Sequence, residues 1–178
     1  MSSSAHVQIN DCVNSYYNIQ INNILEISEA GVNEITRQSK TVIEDNKGYI
    51  NNIKQRQKSE PSFEHAGVAI AEYKARNKFV ISDYAAADVI GIKQNIDSVL
   101  IPRKLCLSII LVCKKHGFSP VIIHSHVSAN RENNYISFSL EDKDFIANFA
   151  KVAKYHKLAS PLFFFLTDGV NDTSIMVL

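Results

Sequence analysis

The chain has 178 residues, of which 46% are hydrophobic and 21% charged, and its formal net charge is +1. This length allows one compact domain with a sizeable core plus an appendage. The composition fits an ordinary globular protein, and the near-neutral balance excludes a globally basic nucleic-acid binder.

Met1 to about Asn10 is polar and reads as a frayed end. From Asp11 to about Gln57 the pattern predicts helix, because Ile21, Ile24, Leu25, Ile35, Val42, Tyr49 and Ile53 recur at spacings of three, four and seven. Gly31 and the Asn46-Lys47-Gly48 cluster interrupt it, so two or three helices are expected. Ile21, Ser28, Ile35, Val42 and Tyr49 form a heptad-like stripe whose companion positions are polar or Gly. A helix packed on the domain and a helix for self-association or partner docking both fit this stripe. Lys58-Ser59-Glu60-Pro61-Ser62 then marks a boundary, since proline stops a helix at the preceding residue. The expected division is a helical extension over 1–58 and a second unit over 59–178.

Phe63 to Ala71 and Asn77 to Ser82 read as two strands of a hairpin. Tyr84 to about Asn95 is ambiguous between helix and strand. Pro102 to Lys115 predicts a largely buried helix carrying Leu105, Leu107, Ile109, Ile110, Leu111 and Val112, with Gly117 placed to close it. Ser119 to His126 is an apolar strand and Val127 to Phe138 a polar loop. Ser139 to about Lys157 is a helix with Phe145, Ile146, Phe149, Val152 and Ala153 on its inner face. Strands over Pro161–Leu166 and Ser174–Leu178 close the chain around an Asp168-Gly169 turn. The fold class is α/β.

The chemistry gathers at the end of the 119–126 strand. Side chains alternate along a strand, so His124 and His126 leave one face and can converge on one metal ion. Ser139-Leu140-Glu141-Asp142 opens the next helix, with Ser139 as N-cap and Asp142 in the first turn as a third ligand. Two histidines and a carboxylate leave one position of a tetrahedral zinc open, as a catalytic zinc requires. Each piece also has a plainer reading. His-x-His can be a polar exit from a sheet, Ser-x-x-Asp only a helix cap, and Glu64 a surface acid. Their order along the chain is what makes them a constellation. His65 should point away from Glu64, His116 reads as a helix C-terminal cation, and His156 as a surface residue. Glu141 and Asp144 diverge from Asp142 by about 100° and 200° around the helix, which makes them poorer ligands. Ser137 rivals Ser139 but lacks an Asp at the matching offset.

From about Ser59 onward the sequence resembles the JAB/MPN (JAMM) metallopeptidase family, on three motifs: Glu64-His65-Ala66-Gly67, His124-Ser125-His126, and Ser139-Leu140-Glu141-Asp142. The resemblance implies a cytidine-deaminase-like domain, a mixed sheet flanked by helices, of the type found in prokaryotic members. It implies Zn2+ held by His124, His126 and Asp142, with catalysis by Glu64 and Ser139. Glu64 would take the proton of the attacking water and pass it to the leaving amine. Ser139 would donate to the oxyanion of the transition state. The implied substrate is a peptide or isopeptide bond at the C-terminus of a ubiquitin-like protein or its conjugate. The chain departs from the family in having Val127 where a proline is common. It also has a longer gap, residues 127 to 138, between the second His and the Ser, and Val-Ala-Ile-Ala after Gly67. The longer loop is either a tolerated insertion or a flap at the rim of the site.

The alternative function is a catalytically inactive scaffold or partner-binding module of the same fold, with docking through the N-terminal segment. A nucleic-acid-associated relative of the RadC type would need a basic stripe that the sequence lacks. Cys12, Cys106 and Cys113 form no metal pattern, and their odd count suits a reducing compartment. With a polar, Ser-rich N-terminus and no apolar run of membrane-spanning length, the expectation is a cytoplasmic protein without membrane or nucleic-acid partners.

Overall fold

The structure, a computed structural model, describes residues 17–21, 23–28, 31–35, 40–86, 93–94, 99–127 and 136–178. Its strands are β1 (Tyr17–Gln20), β2 (Asn23–Ser28), β3 (Gly31–Ile35), β4 (Val42–Asp45), β5 (Ala66–Ala75), β6 (Lys78–Ala86), β7 (Lys93–Gln94), β8 (Val99–Leu100), β9 (Phe118–Ser125), β10 (Leu162–Thr167) and β11 (Asp172–Val177). The helices are α1 (Tyr49–Ser59), α2 (Arg103–His116) and α3 (Leu140–Tyr155). Nine strands form one mixed sheet in the order β1-β4-β6-β5-β9-β10-β11-β2-β3, and β7 pairs with β8 apart from it.

The central strands are covered on both faces. All six residues of β10 are buried, and alternation splits their side chains between two cores. Val121, Ile123, Phe163 and Phe165 pack with Ile50 and Ile53 of α1. Ile122, Phe164 and Leu166 pack on the opposite face with Ile110 of α2 and Ile146 and Phe149 of α3. Each fully buried large apolar side chain contributes about 1.5–3 kcal/mol relative to exposure, so these two layers hold the sheet between α1 and the α2/α3 pair.

The sheet must also curl. β1 is first and β2 eighth in the strand order, seven steps apart, yet they are consecutive in the chain. Seven steps of about 4.8 Å would separate them by roughly 34 Å in a flat sheet. The three Cα steps from Gln20 to Asn23 reach at most about 11 Å. Ile21, in that connection, is fully buried and shares a core with Ile24, Ile50 and Ile53. The concave side is therefore the α1 side.

The expected helices over residues 11–57 are corrected here. Tyr17 to Asp45 supplies four strands, and the only helix among the described residues of 11–57 is α1, which begins at Tyr49. The segment is rich in β-branched residues, which suit a pleated surface. Ile24 faces one core and Leu25 the other, so β2 shows no clean alternation and its apolar spacing mimics a helical stripe. The heptad-like stripe does not exist as a helix face, because Ser28, Ile35 and Val42 lie on strands and only Tyr49 lies on a helix. The Asn46-Lys47-Gly48 cluster is the turn between β4 and α1. Gly48 takes the left-handed conformation at φ 71°, and the buried Asp45 carboxylate accepts from the backbone N–H groups of Tyr49 (3.0 Å) and Ile50 (2.7 Å). The residue 58/59 division falls at the end of α1, and the sheet continues across it.

Later elements follow the sequence closely. β5 and β6 form the expected antiparallel hairpin, turning at Arg76 and Asn77, both at positive φ. α1 stops just before Pro61, and Gly117 caps α2 at φ 71°. α2 is less buried than its composition suggests. Ile109, Ile110 and Cys113 face the core, whereas Leu107, Leu111 and Val112 are 36–46% exposed. On α3, Val152 is exposed and Ala150 takes the inner face with Ile146, Phe149 and Ala153. Residues 1–10, Cys12, most of the ambiguous 84–95 stretch and residues 128–135 of the long loop lie outside the described residues. No helix among the described residues is long and apolar enough to cross a membrane.

Candidate metal centre

β9 lies between β5 and β10, with His124 registered against Ala66 on one side and Leu166 on the other. His126 follows the strand, and its backbone N–H donates to the Thr167 carbonyl at 2.9 Å. Ile122, His124 and His126 are two residues apart and face the layer that holds α3. Ser139 caps that helix from extended backbone. Its Oγ accepts from the Asp142 N–H (3.1 Å), and its own N–H donates to Asp142 Oδ2 (2.8 Å). This reciprocal capping box fixes the Asp142 carboxylate at the helix mouth.

The carboxylate meets both imidazoles. His124 Nε2 lies 3.0 Å from Asp142 Oδ1, and His126 Nε2 lies 3.0 Å from Asp142 Oδ2. The ring centroids are 5.2 Å apart with planes inclined at 67°. One ligand atom from each of the three residues lies within 4.8 Å of the others, so the group can hold a metal ion. The donor chemistry fits: two imidazole nitrogens and one carboxylate oxygen suit a divalent transition metal. His124 Nε2 supplies a further sign. It is buried and, among the described residues, has no partner in hydrogen-bond geometry, its nearest polar neighbour being the Asp142 carboxylate at 3.0 Å. A nitrogen left in that condition is costly unless something else takes its lone pair.

The electrostatics are those of a poised cluster. Burial pushes the Asp142 carboxyl upward, but the two imidazoles and the Ser139 N–H outweigh it and hold the group well below the usual carboxylate range. Burial pushes His126 downward, and the hydrogen bond and charge of Asp142, with the charge of Glu64, more than reverse this. Glu64 is buried just before β5 and lines the same cavity, of about 410 Å³, as His124, His126, Ser139 and Asp142. All five expected site residues are thus on one cavity wall. Ser139 Oγ is an acceptor in the cap, and no contact among the described residues takes its hydrogen.

The other candidates fall away. Within the described residues, neither Glu141 nor Asp144 belongs to the ligand group, although Glu141 reaches the cavity wall. The buried His65 ring turns to the Glu60 carbonyl, 3.2 Å from its Nε2. His116 stacks on Phe118, and His156 is the C-cap of α3.

Two features of the site were not read from the sequence. One is the support beneath it. The Ser125 side chain, between the two histidines, points to the opposite face. There its Oγ accepts from the His65 N–H (2.8 Å) and donates to Gln57 Oε1 of α1, and the Ser125 N–H donates to the His65 carbonyl (2.8 Å). Gln57 is 1% exposed. This network pins the segment carrying Glu64 against the strand carrying the histidines. The second is the apolar remainder of the cavity wall, which includes β8. Gly67 also gains a reason. The Tyr84 ring lies over it where any Cβ would collide, and that ring stacks on Tyr49 of α1 at 4.7 Å.

Comparison with protein-family models and with curated proteins gives no match.

Proposed function

We propose that this chain is a zinc-dependent peptidase or isopeptidase of the JAMM type, hydrolysing an amide bond at the C-terminus of a ubiquitin-like protein or its conjugate. One observation carries the reading: the ligand atoms of His124, His126 and Asp142 converge on a cavity that Glu64 and Ser139 also line. A zinc ion held by those three residues would lower the pKa of water and polarise the substrate carbonyl. Glu64 is buried beside the cluster and acidic, so it serves as the base that takes the proton of the attacking water and returns it to the leaving amine. Ser139 keeps its hydroxyl hydrogen for the oxyanion, at a helix N-terminus whose dipole favours negative charge. The order of the three motifs along the chain supports the JAB/MPN-like fold, as does a mixed sheet that puts His-x-His at the end of a central strand.

The test is zinc per chain in the purified protein, by elemental mass spectrometry. About one zinc is expected in the wild type, with loss in His126→Ala. Glu64→Gln is expected to keep its metal and lose hydrolysis of ubiquitin-like fusions. Metal loss in Glu64→Gln would remove the role given to that residue. Absence of metal from the wild type, before and after reconstitution, would leave a scaffold.

A further inference from the structure

The cavity is larger than its chemistry needs. The polar cluster takes part of the wall, and the other described residues that line it are apolar, apart from Glu141. Ile122, Ile146 and Phe164, each at most 2% exposed, are core residues that form a floor. Val99, Ile101 and Phe145, each half-buried, stand around them. At about 410 Å³ the space lies within the range of small-ligand sites, which are mostly apolar with a few placed polar groups. The acidic groups on the wall are Glu64, Glu141 and Asp142, and among the described residues it has no lysine or arginine.

Resting on the peptidase reading above, we infer that this apolar half is a subsite for a bulky uncharged side chain next to the scissile bond, and that the enzyme selects a leucine, methionine or phenylalanine there over glycine. A glycine would leave the half-buried Val99, Ile101 and Phe145 open to solvent. A leucine side chain would cover them, above Ile122 and Phe164, which continue the face bearing His124. An acidic side chain would meet the three carboxylates and lose its hydration without a partner. Selection by an apolar pocket is worth roughly tenfold per methylene-sized difference at the low end, so the leucine-to-glycine preference should be at least about tenfold in kcat/KM. The substrate is then a chain whose cleavage point carries an apolar side chain, not the diglycine terminus of ubiquitin itself.

Binding is read first, without catalysis. Methyl NMR spectra of the full-length protein are recorded with N-acetyl-leucinamide and with N-acetylglycinamide at millimolar concentration. The leucine compound should shift the methyl signals of Val99, Ile101 and Ile122, and the glycine compound should not. Val99→Trp, which fills the subsite from its half-exposed rim, should abolish the response with the rest of the spectrum intact. Phe145→Asp serves as a second variant if the tryptophan perturbs the fold. Equal responses to the two compounds, or no selective response at these methyls, overturns the subsite.

Zinc-supplemented cleavage of a peptide series differing only at the residue beside the bond follows. Leucine should exceed glycine by tenfold or more, and Val99→Trp should raise KM for the leucine peptide alone. Glycine cut as well as leucine also overturns the inference. Selective leucinamide binding without any peptide cleavage keeps the subsite and removes the peptidase reading instead.

Discussion

Asp142 does two jobs with two oxygens. As the third residue of α3 it completes the capping box with Ser139, and as a carboxylate it faces both imidazoles. The cap therefore sets the rotamer of the ligand. Ser139→Ala is expected to cost about 1 kcal/mol of stability, as cap removal does. It should also weaken zinc binding, because the first turn that carries Asp142 is held less firmly once Oγ no longer accepts from the Asp142 N–H, although the residue 139 N–H still reaches the carboxylate. Denaturant unfolding and zinc titration read the two effects, and Ser139→Thr, which can still cap, should restore both. Unchanged zinc affinity in Ser139→Ala would separate the cap from the metal centre. These site residues were legible in the sequence because few residue types can ligate or cap, and their spacing is fixed by strand alternation and helix geometry. Gln57 was not legible. Its partner is 68 positions away, and a glutamine on a polar helix carries no local mark of burial.

At the scale of elements, α1 supports the site from behind. Gln57 is the acceptor for Ser125 Oγ, and Tyr49 backs the Tyr84 ring over Gly67. Gln57→Leu would leave the Ser125 hydroxyl without its chief acceptor in the interior. A loss of about 1–3 kcal/mol is expected from such a vacancy. Activity should fall further than stability does, since the Glu64 segment loses its anchor. Ser125→Ala in the same background removes the unmet hydroxyl but leaves the buried His65 N–H without its acceptor, so the double variant should recover only part of the stability. A double-mutant cycle that shows simple additivity would refute the coupling. The helices α2 and α3 and the strands β9 to β11 were readable, because caps, glycines and long apolar runs mark them. β1 to β4 were not, because β2 sends Ile24 and Leu25 into opposite cores and the isoleucines of the segment fall at helical spacings by coincidence.

For the whole molecule, the sheet order lay beyond sequence reading, since it depends on which distant strands pair. The N-terminal strands sit at both ends of that order: β1 and β4 beside β6, and β2 and β3 beside β11. Removal of residues 1–58 would strip four strands and α1, and expose the core around Phe163 and Phe165. The shortened chain is expected to lack a cooperative thermal transition, followed by circular dichroism. A sharp transition near that of the full chain would show that the later strands fold by themselves.

The curl has a consequence for the order in which the protein is made. β2 pairs with β11, Asn23 opposite Ile175, about 150 residues later. A ribosome delivers the early strand long before its partner exists, and pairings of such long range close slowly. The first isoleucine-rich strands must therefore stay unpaired on that side throughout synthesis.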